Sequence, residues 1–105
     1  MDQIAPLEVK RQMEGGPTFT LLDVRERWEF QMAHIPGSVL IPLGELQNRI
    51  EELDPDREIV TLCHHGIRSQ SALNILKQSG IKDVKNLSGG IDAYSCLADP
   101  SIPRY

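Results

Sequence analysis

Short runs of β-forming residues alternate along this chain with helical patterns, and this alternation limits the folds that the chain can adopt. The β-forming runs predict strands at residues 19–24, 38–41, 58–63 and 84–87. The patterns between and after them predict helices at 26–33, at 43–53, from near Arg68 to Ser79 and at 91–96. Strands that alternate with helices at this spacing form βαβ units, in which the strands run parallel. We therefore predict an α/β fold: a three-layer domain whose small, mostly parallel central sheet is flanked by helices on both faces.

The clearest helical pattern has apolar residues at intervals of three and four, namely Leu43, Leu46, Ile50 and Leu53. The helix that begins near Arg68 is expected to end at Gly80, because glycine is the usual residue just past a helix C-terminus. A chain of 105 residues is long enough for one modest core. We predict a single domain over residues 1–105, in which the proline-containing residues 98–105 form an irregular tail.

The charge balance argues against nucleic acid and acidic membrane surfaces as partners, because the formal net charge is -4. No apolar run approaches the roughly 20 residues of a membrane-spanning helix. The first ten residues, MDQIAPLEVK, lack the apolar segment of a signal peptide. We therefore expect a cytoplasmic protein in which Cys63 and Cys96 are reduced thiols.

The sequence does not favour a metal site. It has no pair or quartet of cysteines and histidines at the spacing of a zinc site. His64 and His65 are adjacent, and neighbouring side chains of an extended segment point to opposite faces. We therefore predict that the two histidines do not bind a metal together.

Cys63 ends the third predicted strand and stands just before a helix, which is where α/β domains place ligand sites. A thiol reacts as its thiolate, and the residues after Cys63 favour that form. Gly66 can adopt the positive φ that turns loop amides inward, and Arg68 adds a charge near the helix start. Residues 60–81 contain no Asp or Glu, which suits an anionic ligand. The alternative is that Cys63 is a small buried residue at a strand end.

The segment CHHGIRS at residues 63–69 resembles the C-x-x-G-x-R-S active-site loop of the rhodanese-family sulfurtransferases. Further segments resemble other motifs of this family: LDVR at 22–25, Glu29-Phe30 followed by HIPGS at 34–38, and LSGGIDAY at 87–94. Tyr94 stands where the family usually has Trp, so an aromatic residue is retained. The resemblance covers nearly the whole chain and implies the same α/β fold.

The resemblance implies a reaction as well as a fold. Cys63 would be the catalytic nucleophile, taking a sulfur atom from a small anionic donor such as thiosulfate as a persulfide. It would then pass this sulfur to cyanide, a physiological thiol or an acceptor protein. The loop that binds the substrate and the persulfide would consist of His64, His65, Gly66, Ile67, Arg68 and Ser69. The resemblance implies no metal and no organic cofactor.

Other motif residues are expected to support the loop. Asp23 and Arg25 are predicted to brace loops at the carboxyl edge of the sheet, and His34 to shape a turn. A direct chemical role for these three residues is the alternative. Trp28 and Tyr94 are predicted to lie in the core, and Cys96 to be a thiol without a role in the reaction.

Three alternatives to a free sulfurtransferase remain. Related phosphatases and arsenate reductases place five residues between the cysteine and the arginine, whereas four lie between Cys63 and Arg68. Non-catalytic rhodanese-like modules usually lack the cysteine, which this chain keeps. The ending DPSIPRY resembles the tail of rhodanese domains fused to adenylating enzymes of molybdopterin or thiamin biosynthesis. In those fusions the persulfide sulfur passes to a ubiquitin-like carrier protein.

Overall fold

The structure, a computed structural model, describes residues 2–105. Its strands are β1 Gln3–Ile4, β2 Phe19–Asp23, β3 Val39–Leu40, β4 Glu58–Leu62 and β5 Val84–Leu87. Its α-helices are α1 Pro6–Glu14, α2 Arg27–Met32, α3 Leu46–Arg49, α4 Ile67–Gln78 and α5 Gly90–Leu97. The 3₁₀ segments Leu43–Glu45 and Ile50–Glu52 flank α3.

The five strands form one sheet in the order β1-β5-β4-β2-β3, and all neighbouring strands are parallel. The predicted α/β fold with a parallel central sheet is therefore confirmed. The central strand β4 is paired with β2 on one side and β5 on the other. Cys63 directly follows β4, so it lies at the carboxyl edge of the sheet, where loops of parallel α/β folds carry ligand sites.

Helices cover both faces of the sheet, and the residues of β4 alternate between the two resulting cores. Val60 and Leu62 pack in the core formed with α1 and α5. Ile59 and Cys63 pack in the core formed with α3 and α4. This alternation places the Cys63 side chain on the α4 side of the sheet.

The sequence analysis did not predict β1 and α1. A two-residue strand carries no periodic pattern of its own, which explains the first omission. For α1 a signal was present, since Pro6, Val9 and Met13 are spaced by three and four residues. Pro6 and Val9 are buried, and Met13 packs against the same core.

The predicted helix at 43–53 is interrupted rather than continuous. Its apolar residues face the core as expected, with Leu46 and Leu53 buried. Two 3₁₀ segments nevertheless replace its ends. Gly44, a weak helix former, lies in the first 3₁₀ segment, and regular α-helix is limited to the four residues of α3.

The prediction that Trp28 lies in the core is wrong, whereas the same prediction for Tyr94 is confirmed. Trp28 on α2 is 59% exposed, while Tyr94 on α5 is 3% exposed. Trp28 contacts the edge of Tyr105 at the rim of the fold, with ring centroids 6.2 Å apart. Among residues 2–105, no helix has both the length and the apolar character needed to cross a membrane.

Candidate functional site

The thiol of Cys63 lies at the bottom of a tight loop between β4 and α4. Cys63 is 1% exposed, and its Sγ accepts a hydrogen bond from the amide of Gly66 at 3.0 Å. Gly66 has φ +107°, the left-handed conformation that the sequence analysis expected of it. This conformation curls the loop so that its amides face the sulfur and α4 begins immediately afterwards.

The N-terminus of α5 holds the back of the loop. The amide of Ile91 donates to the carbonyl of Cys63 at 2.8 Å, and the amide of Asp92 donates to the carbonyl of His64 at 3.1 Å. Because these two carbonyls point towards α5, the amides of the same loop are free to face the sulfur. Gly90 makes the approach possible, since a Cβ atom there would overlap both carbonyl oxygens.

A buried polar cluster supports the loop from the sheet. Asn86 of β5 accepts a hydrogen bond from the Ser69 hydroxyl at 2.5 Å and donates one to the carbonyl of Gly66 at 3.1 Å. Thr61 of β4 donates to the Ser69 carbonyl at 3.0 Å. The Ser69 hydroxyl also lies 3.4 Å from Cys63 Sγ. The cluster therefore fixes both the loop and a hydroxyl donor beside the thiol.

These donors favour the thiolate form of Cys63. Burial of the sulfur acts to raise its pKa, because a charged group is poorly solvated there. The hydroxyl and amide of Ser69 and the amides of Gly66 and His65 act in the opposite direction and outweigh burial. The pKa of Cys63 is consequently lowered, as a nucleophilic thiol requires.

Arg68 lies beside this loop, but its guanidinium group is paired with a carboxylate of the protein. It binds both oxygens of Glu29, at 2.6 and 2.8 Å. This pairing raises the pKa of Arg68 and lowers that of Glu29 to about 2, so both groups are charged at neutral pH. The sequence analysis had placed Arg68 in the loop that binds the substrate and the persulfide and did not foresee its pairing with Glu29.

Asp23, Arg25 and Tyr105 connect the Glu29–Arg68 pair to the sheet. Arg25 forms a fully buried ion pair with Asp23, 2.7 Å long, at the end of β2. The Tyr105 hydroxyl accepts a hydrogen bond from Arg25 and donates one to Glu29, both at 2.8 Å. Asp23 and Arg25 thus brace this edge of the sheet.

The two histidines of the loop lie side by side rather than on opposite faces. The rings of His64 and His65 stack with centroids 4.1 Å apart, because the loop is curled rather than extended. His64 also stacks on Tyr105 at 4.3 Å. Burial, followed by the neighbouring charge of His65, lowers the pKa of His64. The geometric argument that separated these two histidines is therefore wrong.

One group near the loop has metal-ligating side chains, and it consists of His64, His65 and Asp92. Their candidate ligand atoms lie within 4.8 Å of one another. Asp92 is, however, already paired with Arg104 at 2.9 Å, and the stacking of His64 restricts its ring. A metal bound here would have to displace the Arg104 side chain.

The site carries less net positive charge than expected from the absence of Asp and Glu in residues 60–81. Glu29 comes from α2 and Asp92 from α5, and both lie against residues of the loop. Sequence distance does not reveal which elements the fold brings together, so these two carboxylates were not anticipated. The cations Arg68 and Arg104 are each paired with one of them.

Two predicted site residues face away from the thiol. His34 is exposed, and its ring stacks on Phe30 at 4.2 Å within its own turn. Ile67 is 80% exposed at the start of α4. Cys96 is also exposed, on α5. His34 therefore shapes its turn, and Ile67 lies on the surface beside the loop.

Sequence reasoning missed four residues that form or hold the site: Glu29, Asn86, Gly90 and Tyr105. A polar Asn within the otherwise strand-like segment VKNL was a usable signal, because buried polar side chains need partners. Glu29 and Gly90 are part of segments that resemble family motifs, but the sequence analysis assigned no contact to either residue. For Tyr105 the sequence carried no signal of proximity, since it is 42 positions from Cys63.

Comparison with known proteins identifies matches over most of the chain. The rhodanese-like domain family matches residues 5–96. The putative sulfur carrier protein YrkF of Bacillus subtilis is 43% identical over 82 residues, covering 78% of this chain and 44% of that protein. The probable adenylyltransferase/sulfurtransferase MoeZ of Mycobacterium tuberculosis is 34% identical over 104 residues, covering 97% of this chain and 26% of that protein. The chain thus spans less than half the length of these relatives.

Solved structures agree with the fold. A rhodanese-related protein from Thermoplasma volcanium superimposes with a TM-score of 0.86 at 28% identity. The alignment covers 100% of both chains.

Proposed function

Because the chain belongs to the rhodanese-like domain family, we propose that it is a sulfurtransferase that carries sulfur as a persulfide on Cys63. The Cys63 thiolate attacks the outer sulfur of a donor such as thiosulfate. A bond forms between the two sulfur atoms, and the S–S bond of the donor breaks, so that sulfite leaves with the electron pair. Cyanide or a thiol then attacks the terminal sulfur and regenerates the thiolate, which gives ping-pong kinetics.

The observation that carries this proposal is the hydrogen bonding of Cys63 Sγ. The Gly66 amide donates to the sulfur at 3.0 Å, the Ser69 hydroxyl lies 3.4 Å from it, and the lowered pKa favours the thiolate. Inward-facing amides of the same loop are suited to an extra sulfur atom that carries negative charge. The N-terminus of α4 adds its partial positive charge. The proposal needs no metal.

Turnover of thiosulfate and cyanide by two matched cysteine variants tests this function. Cys63→Ser is expected to abolish thiocyanate formation, since serine is a far weaker nucleophile. Cys96→Ser removes an exposed thiol on α5 and is expected to retain the wild-type rate. Activity that survives in Cys63→Ser would rule out Cys63 as the sulfur-carrying residue.

A second candidate function is sulfur relay to a carrier protein. It is favoured by the names of the relatives, one a putative sulfur carrier and one a probable adenylyltransferase/sulfurtransferase. The ending DPSIPRY, which resembles the tail of rhodanese domains in such fusions, supports it as well. In this function the acceptor is the activated C-terminus of a carrier protein, and thiosulfate is a surrogate donor.

Incubation of the persulfidated protein with adenylated carrier proteins of the host distinguishes the relay from a small-molecule reaction. In the relay the Cys63 persulfide attacks the adenylated C-terminus, AMP leaves, and an acyl disulfide joins the carrier to Cys63. An added thiol then reduces this disulfide and releases the carrier as a thiocarboxylate, which is detected by mass. Transfer to small thiols without transfer to any carrier would contradict the relay. We propose a cytoplasmic location, where thiols are kept reduced.

A further inference from the structure

We propose that Tyr105 is a positioning residue of the Cys63 site, whose hydroxyl holds Glu29 and thereby fixes Arg68 beside the thiol. The inference rests on the proposed role of Cys63 as the nucleophile. Tyr105 lies outside residues 5–96, the part of the chain that matches the family. Its contacts nevertheless reach the active-site loop.

The hydroxyl of Tyr105 joins two charged pairs. It accepts from the buried guanidinium of Arg25 and donates to Oε2 of Glu29, each at 2.8 Å. The same Oε2 accepts from Arg68 at 2.8 Å. Because Arg25 is itself held by Asp23, the hydroxyl is anchored on the sheet side and orients the carboxylate on the loop side.

The ring of Tyr105 determines where that hydroxyl lies. It stacks on His64 with centroids 4.3 Å apart and an interplanar angle of 11°. Trp28 meets its edge, and Arg25 lies 5.5 Å from its centroid. The preceding segment is fixed as well, since Ile102 is buried and its carbonyl accepts from Ser95 at 2.5 Å. Three contacts around the ring and an anchored tail leave the hydroxyl little freedom.

Arg68 is the group whose position this arrangement controls. Its side chain is 37% exposed and long, so without a defined partner it would spend time in solvent. Glu29 holds it with two hydrogen bonds and is itself held by Tyr105 and by the amide of Glu26 at 2.9 Å. An anion that approaches Cys63 would therefore meet a guanidinium group at a fixed place.

Alkylation of Cys63 by two reagents of different charge tests this proposal without requiring sulfurtransferase activity. In a Cys96→Ser background, the ratio of the rate with anionic iodoacetate to the rate with neutral iodoacetamide measures the positive charge near the thiol. Tyr105→Phe keeps the aromatic ring and changes no charged group. A change in this ratio therefore reports a change in the position of the Arg68 guanidinium group relative to the thiol. We expect the ratio to fall about two- to fivefold in Tyr105→Phe, the effect of losing one hydrogen bond. Tyr94→Phe, which removes the hydroxyl of the other tyrosine, is expected to leave it unchanged.

The same substitution in an Arg68→Ala background separates positioning from general support of the fold. If Tyr105 acts through Arg68, Tyr105→Phe has no further effect on the ratio once Arg68 is absent. An unchanged ratio in the single variant, or an equal fall in both backgrounds, would overturn the proposal. Failure of the wild-type protein to take sulfur from thiosulfate would instead contradict the proposed function and leave the alkylation result interpretable.

Discussion

Arg25 and Arg68 both bind a carboxylate through two nitrogens at the same edge of the sheet, yet their surroundings differ. Arg25 is completely buried, and its donors reach Asp23, the carbonyl of Ala33 and Tyr105. Arg68 is 37% exposed, and its guanidinium group donates to both carboxylate oxygens of Glu29. The guanidinium group of Arg25 is therefore hydrogen-bonded to protein groups instead of water. The guanidinium group of Arg68 remains partly exposed to solvent beside the loop that holds the thiol.

This difference indicates that the buried Asp23–Arg25 pair serves stability, whereas the partly exposed Glu29–Arg68 pair is available for chemistry. A buried ion pair with every donor satisfied is rigid, and removal of one partner leaves the other as an unpaired buried charge. A partly exposed pair contributes less to stability but can respond to an approaching anion. Glu29 connects the two, because its carbonyl faces Arg25 at 3.4 Å and its carboxylate holds Arg68.

Replacing each arginine by leucine is expected to give the largest effect and the clearest contrast. Arg25→Leu leaves the buried Asp23 without its partner, so we expect a loss of about 3–5 kcal/mol in the free energy of unfolding. Arg68→Leu is expected to cost about 1 kcal/mol, since its pair is partly solvated. Urea denaturation measures both values. Equal losses would show that burial does not separate the two arginines.

The contribution of the Glu29–Arg68 pair to stability is expected to depend on pH. The folded pKa of Glu29 is about 2 against an ordinary value of 4.5, with Arg68 as the main cause. Because the folded pKa is the lower one, this stabilisation is complete above pH 4.5 and is lost as the pH falls towards 2. We expect it to be worth about 1 kcal/mol, in line with the estimate for Arg68→Leu, because the Arg68 side of the pair is solvated.

Glu29→Gln removes the titrating group and supplies the measurement. The stability of the variant is expected to fall less steeply than that of the wild type between pH 5 and pH 2, in urea titrations at each pH. Glu8→Gln is a suitable control, since solvent screens the pair of Glu8 with Arg11 on α1 and its removal is expected to change the pH slope little. Identical pH slopes for wild type and Glu29→Gln would contradict the assigned role of the pair.

The smallest expected effect concerns the thiol that the loop surrounds. Ser69→Ala removes the hydroxyl group that lies 3.4 Å from Cys63 Sγ and lowers its pKa, so the pKa of the thiol should rise. At neutral pH we expect alkylation by iodoacetamide to slow roughly two- to tenfold, as loss of one hydrogen bond predicts. The rate is measured against pH in a Cys96→Ser background. Ser71→Ala, on the exposed side of α4, serves as the matched control.

The central features of the fold were predictable from local patterns. The alternation of strands and helices predicted a parallel sheet, and the position of Cys63 at the end of the third predicted strand placed it at the carboxyl edge. The glycine at 66 predicted a left-handed turn, which the structure has at φ +107°. These features depend on residues close in sequence, whose preferences are determined locally.

Contacts between distant segments were not predictable in this way. The pairing of Glu29 with Arg68 joins α2 to α4 across 39 positions, and Tyr105 reaches Glu29 across 76. The stacking of His64 on His65 depends on the curl of the loop, which the Ile91 and Asp92 amides hold in place. Each of these contacts follows from packing of the whole chain, so local propensity carried no information about it.

The most direct test of the account is the mass of the intact protein after incubation with thiosulfate and removal of the excess donor. The account predicts a gain of one sulfur atom, mapped to Cys63 by peptide analysis and removed by cyanide. The gain should be absent in Cys63→Ser and present in Cys96→Ser. A protein that gains no sulfur, or gains it on Cys96, would contradict the central claim that Cys63 is the sulfur-carrying nucleophile.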